Sequence, residues 1–283
     1  MSTFQGALRH VCSMPKRCMK VDVDPATKTA YVLAVEGPEG FADSSAQLLA
    51  GASPEDTYVV TVNLTGEPDP TIVLDAGDKL DGAYQLALDG RGNAFSGLLT
   101  EDGMVRATFA SKSVTKVNCP VRQPYSVALS ATRDALFTME RTTGRLYKLT
   151  LTGEGMLDDT FPAIGAAKNW YDGLRVDGSA AYAVKDLAEI WRVDLTGHTV
   201  SAVPWKASST RLAAVQPSGA GTLFVLDQTT LWELDLSSGK PTKLADVPGG
   251  HAEDLVLDGA DLYIVTFDRE MYGYGVGAGR ASG

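Results

Sequence analysis

YDGLRVDGSAAYAVKDLAEIWRVDLTG, residues 171 to 197, contains the plan of the whole chain on a small scale. Three short runs, DGLRVD, AAYAVKD and EIWRVDL, alternate apolar with polar residues and end in Asp, Gly or Thr-Gly. Each therefore reads as a strand closed by a tight turn. The pattern returns in AEDLVLDGADLYIVTFDREMYGYGVG (252 to 277). The residues that end the first strand of each unit are Asp24, Asp89, Ser130, Asp177, Gln216 and Asp258, at intervals of 65, 41, 47, 39 and 42 residues. Repeats of roughly forty residues built from four short strands mark propeller blades, because one such sheet cannot cover both faces until its neighbours stack on it. The expectation is a single domain over residues 1–283, an all-β, six-bladed β-propeller with four antiparallel strands per blade.

The two ends of the chain complete each other. The last unit supplies EDLVLD, DLYIVTF and EMYGYGV, then runs into Gly-Ala-Gly-Arg-Ala-Ser-Gly with no fourth strand, while Thr3 to Val11 has strand composition. Residues 3 to 11 are expected to form the outer strand of that last blade, which removes a free sheet edge and ties down both termini. The long first interval comes from residues 37 to 56, GPEGFADSSAQLLAGASPED, set between the second and third strands of the first blade. This segment reads as a solvated loop with a short helical turn around Ser45 to Ala50. Glu101-Asp102-Gly103 is a hairpin signal, since Asp-Gly suits the positive φ of tight turns. Tyr147, Trp191, Trp232 and Tyr272 fall at one equivalent place in the third strands of four blades. An aromatic repeated at one slot is expected to pack blade against blade.

Charge and composition narrow the partners. The formal net charge is −10, spread through turns and strand ends, which disfavours nucleic acid and anionic membranes. No apolar run approaches the ~20 residues of a membrane span, and MSTFQGALRHVCSMPKRCMK lacks the apolar core of a secretory signal. A cytoplasmic protein is expected. Cys12, Cys18 and Cys119 are an odd number without metal-ligand spacing, and read as buried thiols of a reducing compartment.

The common catalytic signatures are absent, including Gly-x-Ser-x-Gly, the phosphate-cradling Gly-x4-Gly-Lys-Ser/Thr and His-Glu-x-x-His. What remains is the ring. The innermost strands start at one mouth of the central channel with Met19, Tyr84, Tyr125, Asp172, Arg211 and Glu253, followed by Lys20, Gln85, Ser126, Gly173, Leu212 and Asp254. Glu253, Asp172 and Arg211 are the candidate catalytic residues: two carboxylates flanking an arginine offer a general base, an oriented charge partner and an anchor for a carbonyl or carboxylate. Tyr84, Gln85, Tyr125, Trp170, His251 and Lys20 are the candidate substrate-binding residues around them. The same polar set reads equally as an inter-blade network that fixes ring geometry.

A six-bladed ring with Asp172-Gly173-Leu174 opening a blade resembles the superfamily of senescence marker protein, gluconolactonases and strictosidine-synthase-like proteins, over most of the chain as a repeat. Lactonases of that group hold a divalent cation in the channel mouth, and Asp172 matches their aspartate. Met14-Pro15-Lys16-Arg17 stands where their Glu-Gly-Pro would lie, and Tyr125-Ser126 where an Asn-Gly is expected. No metal or other cofactor is therefore expected. Strictosidine-synthase-like members work without metal through a glutamate of the last blade, a place comparable to Glu253. The resemblance implies a metal-independent acid-base enzyme of cyclase, lyase or hydrolase type acting on a small, sugar-lactone-like molecule. The alternative is a non-catalytic propeller that binds a protein or small ligand, with residues 37 to 56 as its contact.

Overall fold

The structure, a computed structural model, describes residues 6–36, 56–77, 80, 83–98, 103–151, 157–167, 171–206, 211–219 and 221–276. Its strands form six antiparallel sheets of four. Five run in simple sequence order from an inner to an outer strand. Their inner strands are Arg17–Asp24, Ala87–Leu88, Pro124–Leu129, Tyr171–Asp177 and Leu212–Pro217, which define blades one to five. Blade six begins with Ala252–Asp258 and is completed by Leu8–Ser13, which pairs outside Glu270–Gly275. The register of that closure runs from Leu8 opposite Tyr274 to Ser13 opposite Glu270. The expected closing strand is present, running two residues further than residues 3 to 11, of which 3 to 5 lie outside the described residues.

The alternation read from the sequence is what the ring buries. Among the described residues seven apolar clusters form the core, and six of them each draw on two neighbouring blades. Val21, Val32 and Val60 of blade one pack with Val256, Val265 and Met271 of blade six. Phe137, Met139 and Leu146 of blade three pack with Leu174, Ala181 and Val193 of blade four. No sheet therefore holds a complete core of its own, which is why the blades stand or fall together. Tyr147, Trp191, Trp232 and Tyr272 are half-buried against four of these junctions, as expected of spacers between blades. The three cysteines are free and buried, and burial pushes the Cys12 thiol up to about 11.

Two strands are shorter than their sequences suggest. Among the described residues MLDDTFP pairs through Leu157–Asp158, and YQLALD through Ala87–Leu88, helped by a bridge between Ala83 and Leu98. The second and third strands of blade one, Thr29–Glu36 and Asp56–Asn63, bracket the predicted insertion. The insertion and its helical turn lie outside the described residues, as do Glu101 and Asp102 of the blade-two hairpin.

One repeated feature was not expected. In five blades the inner strand slips register near its first residues, between Cys18 and Lys20, Pro124 and Ser126, Asp172 and Arg175, Leu212 and Ala214, and Ala252 and Asp254. A bulge leaves a residue out of the ladder and re-aims its neighbours. Consecutive residues can then both be buried, as with Met19 and Lys20, Tyr125 and Ser126, and Glu253 and Asp254. In blade four the bulge needs Gly173, whose φ of +58° suits no side chain and whose Cβ would crowd the Ala214 backbone of blade five at 3.3 Å.

Candidate functional site at the head of the channel

The starts of the inner strands bring charges from opposite sides of the ring together. Lys20 of blade one reaches across to Asp172 of blade four, Nζ to Oδ1 at 2.9 Å, with both side chains no more than 2% exposed. The same ammonium donates to the Glu253 carbonyl oxygen at 3.4 Å and lies 4.8 Å from the centre of the Tyr84 ring. The Tyr84 hydroxyl donates to the other oxygen of Asp172 at 3.1 Å, and the Gly173 N–H donates to Oδ1. Tyr84 and Tyr125 pack ring to ring at 4.5 Å. Met19, Val35 and Phe267 close the cluster with apolar surface.

This enclosure sets the protonation of the phenols. Burial, and then the Asp172 carboxylate, push Tyr84 well above the ordinary tyrosine range, and Arg211 pulls weakly the other way. Burial, followed by Tyr84 and Asp172, does the same to Tyr125. Both hydroxyls are therefore neutral donors at any physiological pH.

The sequence-predicted residues divide as follows. Asp172, Glu253, Lys20, Tyr84 and Tyr125 are buried around one point. Arg211 is half-buried and near enough to act on the Tyr84 phenol. Gln85 is buried but occupied, since its amide donates to the Leu174 carbonyl and its Oε1 accepts the Val127 N–H, strapping blade two to blades four and three. His251 is exposed and paired with Asp268 at 3.1 Å, with a φ of +59°, while its carbonyl accepts the Phe267 N–H at the edge of the head cluster. Trp170 lies outside the described residues.

Beneath the head, straps of the Gln85 kind recur that sequence reasoning did not single out. Asp254 of blade six accepts the Val21 N–H of blade one, and Asp22 of blade one accepts the Leu88 N–H of blade two. The Ser126 hydroxyl of blade three donates to the Tyr171 carbonyl of blade four. Arg175 crosses from blade four to hold both oxygens of Asp254 at 2.9 Å. The available signal was an arginine and two aspartates inside otherwise apolar inner strands, DGLRVD, KVDVD and EDLVLD. Such groups are tolerated there only when paired.

The divalent cation implied by the lactonase resemblance does not fit these residues. Both oxygens of Asp172 are taken, one by an ammonium and one by a phenol, so a cation would meet a fixed positive charge about one ligand length away. No group of three His, Cys, Asp or Glu with metal-binding geometry occurs among the described residues. The melting temperature is expected to be unchanged by a chelator, within about 2 °C, a shift worth about 1 kcal/mol. A stoichiometric divalent metal retained through dialysis, found by elemental analysis, would overturn this.

No protein-family model and no curated protein sequence matches the chain. Solved structures do. A gluconolactonase of Xanthomonas campestris aligns over 95% of this chain and 89% of its own, with a TM-score of 0.67 and 14% identity. A catalytically inactive virginiamycin B lyase of Staphylococcus aureus with quinupristin aligns over 95% and 98%, with a TM-score of 0.61 and 10% identity. A chain of a nidogen and laminin complex aligns over 84% and 82%, with a TM-score of 0.61 and 14% identity. The likeness is one of fold. The chain is a six-bladed propeller whose neighbours include the lactonase type its sequence resembles, alongside a lyase and a component of a protein complex. At these identities the propeller's chemistry has to be argued from its own residues.

Proposed function

We propose that the propeller is a small-molecule enzyme working at the head of its channel by metal-independent acid-base chemistry on a carbonyl-bearing, lactone-like substrate. The observation that carries this reading is the meeting of Lys20, Asp172, Tyr84 and Glu253, from four different blades, in a nearly dry enclosure. A buried ion pair adds little net stability compared with well-packed apolar residues, so a ring that needed only a plug would gain by filling this space with leucine. Charged groups gathered in low dielectric instead suit the stabilisation of developing charge. In this reading Glu253 is the general acid-base, and Lys20 with Tyr84 supplies two donors for a substrate oxygen. Asp172 orients both donors, and Arg211 anchors a polar group at the edge. Substrate entry requires the apolar cap of Met19, Val35 and Phe267 to part.

The test is acid release from a panel of sugar lactones by the purified protein. Glu253→Gln is expected to lower kcat by about 100-fold or more, with the melting temperature within about 2 °C of the parent. Turnover that survives this substitution, or a parent protein that opens none of the lactones, defeats the reading. A second reading has its own observation: the Lys20–Asp172 pair is mutually neutralised and shut away from water, as in a rigid non-catalytic platform for a protein or small ligand. In that case replacing both members together leaves every binding activity intact.

A further inference from the structure

The opposite end of the channel is open where the head is closed. The ends of all six inner strands surround a cavity of about 270 Å³, bounded by Asp22, Leu88, Val127, Arg175, Gln216 and Val256 among others, with Arg133 at its wall. That is near the lower end of the ~300 to 1,000 Å³ of ordinary ligand pockets. It is lined differently from the head. Its lining holds two cations, Arg175 and Arg133, and the charge of the lining carboxylate Asp258 is met from outside the cavity. Lys28 holds both oxygens of Asp258 at 2.7 and 2.9 Å. Arg175 holds Asp254, the Leu174 and Leu255 carbonyls and the Gln216 side chain.

Arg133 is different. Among the described residues its guanidinium makes one hydrogen bond, a long one of 3.4 Å to the Val23 carbonyl, and no ion pair. The fold goes to some length to hold it there. Arg133 has a φ of +56°, a conformation unfavourable for a residue with a side chain, inside a turn fixed by hydrogen bonds from Ser130 and Thr132 to Asp134. Gly90, on the adjoining turn of blade two, makes the room, since a Cβ there would lie 2.5 Å from Arg133 Nη1. The Asp22 carboxylate also lines the cavity, and each of its oxygens accepts one backbone N–H and keeps a lone pair over. Its pKa is raised by burial, against the pull of the Leu88 N–H and of Arg175 and Arg133.

We infer that this foot cavity is a second binding site, separate from the head, for a small hydroxycarboxylate whose carboxylate docks on Arg133 and whose hydroxyl donates to Asp22. A guanidinium presents a planar fork of donors that matches a carboxylate in two parallel hydrogen bonds. The site does not depend on the activity proposed for the head.

Calorimetric titration of the full chain with gluconate tests it, with sorbitol as the neutral probe of like size and inorganic phosphate as the competing anion. Saturable binding of gluconate, with a Kd on the order of 1 mM or tighter, is expected, with none for sorbitol and weaker binding for phosphate. Arg133→Gln is expected to weaken it by about tenfold or more, and Arg133→Lys, which keeps the charge and loses the fork, by a smaller factor. Glu253→Gln, at the head, should leave it unchanged. Absence of saturable gluconate binding overturns the inference, as does gluconate binding undiminished in Arg133→Gln. Phosphate binding as tight as gluconate overturns the carboxylate assignment, and loss of binding in Glu253→Gln moves the ligand to the head.

Discussion

A variant lacking residues 1–13 is expected to lose cooperative unfolding, or to melt far below the parent. Leu8–Ser13 supplies the outer strand of blade six, and no other described segment takes that place. With it go Cys12, buried between blades six and one, and the partly buried Val11 and Leu8. Burial of a side chain of this size is worth about 1.5–3 kcal/mol, so the packing alone is worth roughly 3–6 kcal/mol. That is a large share of the ~5–15 kcal/mol that holds a domain folded. The loss also frees Glu270–Gly275 as a sheet edge, so aggregation is expected beside instability. Urea unfolding followed by tryptophan fluorescence checks this. A truncated protein with the parent's midpoint and slope would show that the ring is held without its closing strand.

The second large effect concerns the charge pair at the head. Lys20→Met leaves the buried Asp172 carboxyl short of its strongest partner, and is expected to cost about 3–5 kcal/mol. The double variant Lys20→Met, Asp172→Leu removes both charges from a site already walled by Met19, Val35 and Phe267. It is expected to recover most of that loss, since apolar replacement of a buried pair is often neutral or stabilising. Chemical denaturation of both single variants and the double closes the cycle. A double variant no more stable than the worse single would mean that the pair contributes to ring stability in its own right, and the argument for a chemical role would lose its support. Glu253→Gln, by contrast, is expected to change turnover and leave stability nearly alone, so the two experiments separate structure from chemistry.

Much of the candidate site was legible as a set and little of it as an arrangement. Equivalent places in the repeat pointed to Lys20, Tyr84, Tyr125, Asp172 and Glu253, and these do meet. His251, read as part of that group, is exposed and paired with Asp268, with a positive φ that composition does not show. Gln85 was taken for a binding residue, whereas its amide is committed to the Leu174 carbonyl and the Val127 N–H of other blades. Arg133 went unnoticed because an arginine in a surface turn carries no pattern. Its meaning comes from Gly90 and Asp22, which lie on blades two and one.

Alternation with period two and Asp-Gly or Thr-Gly punctuation are local signals, set within a few residues by strand pleat and turn sterics. The sequence by itself therefore determined six blades, their order, the insertion in the first and the strand that closes the last. Which charges face one another was decided only by the tertiary structure. Lys20 and Asp172 are 152 residues apart and meet because their strands lie across one channel. The bulge at the head of five inner strands then re-aims the side chains that follow it. Ring closure and bulge direction are properties of all the blades packed together, so no single stretch of sequence encodes them, and the closed head and open foot of the channel follow from them alone.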